Sequence, residues 1–148
     1  GRHGTDHRMN ALDAAIYGAL SAGTALTSLL AGGTASPSVF QHLAPENQDP
    51  PYVVFNKQAN TPRFTFSGLA FENAVYQVRG VTLGPSAQLA GTIAERIDDL
   101  LTDQPVTVTG HKLMYLRRME DIDYPEPGPG GQRYHHRGAL FRVMVDPD

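Results

Sequence analysis

Phe71–Leu83, FENAVYQVRGVTL, is followed after Gly84-Pro85-Ser86 by Gln88–Leu101, QLAGTIAERIDDLL, and together these two stretches decide the fold class. In the first, Val75, Gln77, Arg79 and Val81 share one face while Tyr76, Val78 and Thr82 share the other, so apolar groups fall on both sides. That is the pattern of a strand inside a sheet. In the second, Leu89, Ala90, Ile93, Ala94, Ile97, Leu100 and Leu101 recur at three- and four-residue steps, and Gln88, Glu95, Arg96, Asp98 and Asp99 lie mainly elsewhere. A central strand that turns through Gly-Pro-Ser into an amphipathic helix indicates a mixed architecture.

Towards the N-terminus, Leu12, Ala15, Ile16, Ala19 and Leu20 keep helical spacing behind Asn10 as a cap, with Asp13 in the favourable first turn. Ser21-Ala22-Gly23 interrupts this helix, and Leu26, Leu29 and Leu30 define a short second stretch that Gly32-Gly33 ends. A polar, proline-containing connector over 34–51 carries one short strand at Val39-Phe40, and Tyr52–Asn56, YVVFN, is a strand entered through Pro50-Pro51. Residues 57–68 are expected as a surface loop broken at Thr61-Pro62. Beyond the second helix, Val106–Thr109 and Lys112–Ile122 are expected to form a hairpin turned at Gly110-His111. A loop over 124–131, YPEPGPGG, should separate it from a last strand at Tyr134–Val145. The expected fold is α+β: a mostly antiparallel sheet of four to five strands with two helices on one face. Residues 10–148 are expected as one domain, and residues 1–9 as a disordered arm or an expression scar.

Composition narrows the function classes. The chain has 148 residues, of which 41% are hydrophobic and 18% charged, enough apolar surface for a packed core. It has no cysteine, which removes disulfides, thiolate nucleophiles and thiolate metal sites. No apolar run approaches the ~20 residues of a membrane helix, and no export signal is expected. A formal charge of −3 argues against a protein whose task is to coat duplex DNA.

Site-like clusters are weighed against plainer readings. His135-His136, beside Arg133 and Arg137, suggest a metal site or proton relay together with His42 and His111, yet adjacent strand residues point to opposite faces. No metal is expected. Asp121 and Asp123 can share a strand face like a catalytic carboxylate pair, but neither a nucleophile nor a pocket accompanies them, so a charged strand edge is the better reading. Gly128-Pro129-Gly130-Gly131 leads into a strand and lacks a following Lys-Ser/Thr, so it is no phosphate loop. Ser21, Ser28 and Ser67 sit in no nucleophile-elbow pattern. No catalytic residue and no cofactor is expected.

In order and spacing, AIYGALSAGTALTSLL (15–30), PPYVVF (50–55), FENAVYQVRGVTL (71–83), QLAGTIAERIDDLL (88–101), VTGHKLMYLRRMEDIDY (108–124) and HHRGALFRVMV (135–145) resemble the tail-completion proteins of long-tailed bacteriophages, the tail terminators and tail-to-head joining proteins. The resemblance spans Ala11 to Val145. It implies an α+β structural virion subunit, assembled in the host cytoplasm. It also implies a homo-oligomeric ring, commonly hexameric, that docks on the tail tube protein, stops growth and meets a head-tail connector or stopper protein. DNA would pass through such a ring without sequence-specific binding, and no membrane partner is implied. The charge distribution adds a candidate subunit interface: Arg133 and Arg137 near the terminal hairpin of one copy against Asp98 and Asp99 on the helix of the next. The rival readings are a small soluble α+β enzyme or ligand-binding module, and a nucleic-acid-binding adaptor.

Overall fold

The computed structural model describes residues 2–65 and 68–147, and the side chains of 11–59 and 73–146. Its elements are helices α1 (Arg2–Ala22), α2 (Thr24–Thr27) and α3 (Gln88–Leu101), and strands β1 (Val39–Gln41), β2 (Tyr52–Thr65), β3 (Gly68–Gly84), β4 (His111–Pro127) and β5 (Arg133–Pro147). The five strands form one open sheet in the order β1-β2-β3-β5-β4. Only β1 and β2 run parallel; the other neighbours are antiparallel, as the α+β reading expected.

α1 and α3 both pack on one face, the helix face. Leu12, Ile16 and Leu20 from α1 and Ile93, Ile97 and Leu101 from α3 join Val53, Phe55, Tyr76, Val78, Phe141, Val143 and Val145 in one buried cluster. The pleat puts Tyr76, Val78 and Gly80 of β3 on this face and Val75, Gln77 and Arg79 on the opposite, outer face. At Gly80 a Cβ would stand 2.4 Å from Ile93 Cγ2, so the missing side chain is what lets α3 sit down on the central strand. Ser86 Oγ accepts the Gln88 amide at 3.1 Å and starts α3 where Ala87, at the cap position, has no side-chain acceptor. The buried stripe of α3 is Ala90, Ile93, Ile97 and Leu101. Leu89, expected inside, is 40% exposed in the first turn, and Leu100 is half-buried because it packs over Gly23 between the helices.

A buried polar cluster ties α1 to the sheet. Asp13 accepts hydrogen bonds from Tyr76 Oη at Oδ1 and from Gln41 Nε2 at Oδ2, the latter at 2.8 Å, and Lys57 Nζ lies 3.7 Å from Asp13 Oδ1. Lys57 is 8% exposed and stands 5.6 Å from the Tyr76 ring centroid. One carboxylate thus joins α1, β1, β2 and β3.

Four expectations are corrected. The helix expected to start at Asn10 runs from Arg2. Residues 57–65, expected as loop, continue β2 and pair with β3, although the expected loop's residues 66 and 67 lie outside the described residues. Pro62 is tolerated there because β1 reaches only to Gln41 opposite Phe55, leaving β2 with β3 alone as neighbour. Val106–Thr109 is not a strand: Gly110, at φ +75°, turns the chain into β4, whose partner is β5. The hairpin is therefore β4–β5. The expected loop at 124–131 shrinks to a turn, because pairing continues to Pro127 opposite Arg133.

Candidate functional site

Three of the four residues expected at an interface, Arg137, Asp98 and Asp99, come together, and Arg133 does not. Asp98 and Asp99 from α3, Arg137 from β5 and Asp121 and Asp123 from β4 line one open groove of about 540 Å³ on the helix face, where α3 leaves β4 uncovered. Within it Arg137 Nε lies 3.5 Å from Asp123, Arg118 lies 3.8 Å from Asp98 and 3.5 Å from Asp121, and Arg96 lies 3.3 Å from Asp99. Asp98 also accepts from Thr102 Oγ1. Gly91 makes room for this arrangement, since a Cβ there would stand 2.6 Å from Arg137 Nη1. Arg133 is separate: it is exposed at the β4–β5 turn. Asp121 and Asp123 share a face, as expected, but each has an arginine beside it, which makes them ion-pair partners at a strand edge. Exposed pairs of this kind contribute only about 0–1 kcal/mol each.

The outer face holds a network that sequence reasoning missed. Arg79 Nε donates to His136 Nδ1 at 3.1 Å, and Arg79 Nη1 donates to Gln77 Oε1 at 2.6 Å. With Nδ1 accepting, the ring proton is on Nε2, which donates to Glu126 Oε1 at 2.8 Å. Tyr124 stacks on the same imidazole at 4.5 Å with planes 7° apart. The connector at His42–Gln48 lies over this end of the sheet and lines an open cleft of about 500 Å³, together with Tyr52, Arg79, Glu126, Tyr134 and His136. Burial raises the Tyr52 phenol above its usual value, with Tyr134 as the next cause; Arg79 acts against the shift while Glu126 and Tyr124 add to it. The phenol is therefore neutral at physiological pH. No local signal marks this network, because Arg79 and His136 are 57 residues apart and meet only through the β3–β5 register.

Chemically the network holds β4 down and does little else. Both His136 nitrogens are engaged, which leaves no lone pair for a metal or for proton abstraction. His135 points to the helix face and donates Nε2–H to the Gly84 carbonyl at 3.0 Å, so the two histidines do diverge. Among the described residues no group of three or more His, Asp or Glu side chains could hold a metal ion, and no helix is long and apolar enough to cross a membrane.

Three helices and a five-stranded, mostly antiparallel open sheet make this an α+β subunit. The family model for tail completion protein gp17 matches residues 14–146, and the chain belongs to that family. A chain of a solved structure described as the virion of a native gene transfer agent particle is similar at 18% identity, covering 94% of this chain and 97% of that chain with a TM-score of 0.72. A second solved chain is similar at 17% identity over 95% of this chain and 98% of its own, with a TM-score of 0.59. At such identities the likeness is one of fold. No curated protein matches the chain. Family membership makes this a structural protein of a phage-type tail, a class that is not enzymatic.

Proposed function

We propose that the chain is the tail-completion subunit that forms a ring, hexameric in the reading adopted here, on the end of the tail tube, terminates tail growth and joins the tail to the head connector. The single observation that carries this reading is the family match over 14–146, which covers almost every element of the fold. The surfaces support it. β4 is one edge of the open sheet, and its two register shifts, between Leu113 and Tyr115 and between Arg118 and Glu120, set Met114 and Met119 out of the pairing. Both methionines are exposed, at 53% and 47%. Bulges protect an edge from indiscriminate strand addition, while methionine offers an adaptable apolar contact. Such an edge suits docking on a shaped partner better than open-ended growth.

The ring acts by geometry: it caps the last tube layer with a surface that does not repeat the tube's own, and presents its other side to the head. DNA is expected to pass through it without base-specific contact. Electron microscopy of tails assembled with and without the chain tests this directly. Uniform tails bearing a terminal ring are expected with it and tubes of uncontrolled length without it; tails of equal length and unchanged head attachment in both samples would refute the assignment.

A further inference from the structure

The ring reading leaves open which surfaces meet, and the expected contact at Arg137, Asp98 and Asp99 is weakened because those groups already have partners inside the chain. The two faces of the sheet offer another solution. On the outer face the cross-strand register sets out three rows: Asn73, Met144 and Tyr115; Val75, Arg142 and Arg117; Gln77, Leu140 and Glu120. Among the described residues no helix covers them, and Val75, Tyr115, Leu140, Arg142 and Met144 are all half-buried.

Two arginines stand directly opposite each other in the middle row, an arrangement that costs stability unless an acid is near. Arg117 has one, Asp103 at 3.3 Å. Arg142 has no ion pair among the described residues. Beside it, Asn73 Oδ1 is buried with no hydrogen-bond partner among the described residues. The outer face therefore holds an apolar strip around a cation that has no ion pair among the described residues.

On the other side of the molecule, the solvent-facing stripe of α3 is Gln88, Thr92, Glu95 and Asp99, spaced for one helix face. Asp99 is paired with Arg96, whereas Glu95 is exposed and has no ion pair among the described residues. Glu95 and Arg142 thus lie on opposite sides of one chain. Opposite placement prevents them from meeting within a subunit and is what a head-to-tail ring requires, because a heterologous interface joins two different patches of identical chains.

We propose that the outer sheet face around Arg142 receives the α3 stripe of a second copy of this chain, with the partner's Glu95 against Arg142. This rests on the ring reading and assigns its contact. The apolar strip supplies burial, and the charge pair sets register and orientation.

The chain has no cysteine, so paired cysteines report contacts without background. In the full chain carrying Arg142→Cys and Glu95→Cys, mild oxidation is expected to give a ladder of covalent oligomers up to ring size; within one chain the two positions face opposite ways and cannot bridge. Arg142→Glu alone should raise the concentration for half-assembly about tenfold, and adding Glu95→Arg should restore it, with circular dichroism showing the fold intact. Assembly without the ladder and without any effect of Arg142→Glu overturns this contact and leaves the ring standing. A ladder obtained instead with Arg133→Cys and Asp99→Cys also overturns it, returning the contact to the hairpin tip. Wild-type chain that stays monomeric in solution and on tube ends overturns the ring and this inference together.

Discussion

Gly80 and Gly138 show how single residues set the distance between layers. A Cβ at Gly80 meets a side-chain methyl of Ile93, whereas one at Gly138 would stand 2.0 Å from the Val78 carbonyl oxygen and 2.6 Å from Arg79 Cα. Methyls can shift and backbone in a sheet cannot, so Gly80→Ala should cost about 1–3 kcal/mol and Gly138→Ala more. Urea midpoints that rank the two in the reverse order would contradict the register. Ile97 is fully buried, and Ile97→Ala should cost roughly 2–5 kcal/mol through lost burial and a residual cavity. An unchanged midpoint would refute its placement. Tyr52 makes a pH prediction. Its phenol is raised in the fold above the unfolded value of about 10, so its stabilising contribution is complete below that pH and is lost as pH rises through the folded value. Replacing it with Phe should flatten the alkaline limb of the stability curve without altering the curve near neutrality.

At the scale of elements, Asp13 is the joint between α1 and the sheet. Removing it in Asp13→Ala leaves the Lys57 ammonium buried without that carboxylate and should cost about 3–5 kcal/mol, while a double variant with Lys57→Met should recover part of the loss. Independent, additive losses in thermal unfolding would show that the two groups are uncoupled. The elements also show where sequence reading succeeds. The β3 alternation and the α3 stripe were legible because each is a relation between residues two to four apart. The β4–β5 hairpin is not legible in the same way, because proline and glycine over 124–131 have the composition of a loop. Pro125 and Pro127 are compatible with a strand because β4 is the sheet edge, where a missing amide donor need not break a ladder. Edge position is a property of the assembled sheet. Composition carries no trace of it.

For the molecule as a whole, the asymmetry of the sheet matters most: among the described residues, helices cover one face, and the other meets the connector at one end. Such a subunit is incomplete by construction, which is consistent with a protein whose work is assembly. Adding salt should weaken ring closure while leaving subunit stability nearly unchanged, since the proposed contact is charged and the core is not. Equal assembly at low and high salt by light scattering would argue against a charged contact. By itself the sequence determined the α+β class, the central strand, the amphipathic helix, the lack of thiol chemistry and the family, because these follow from local periodicity, residue inventory and motif order. Tertiary structure alone decided that Arg137, Asp98 and Asp99 share a groove, that Arg79, His136 and Glu126 form one network, and that Arg142 and Glu95 lie on opposite sides. Those relations depend on strand register and on which face a helix covers, and both are set by contacts between residues far apart along the chain.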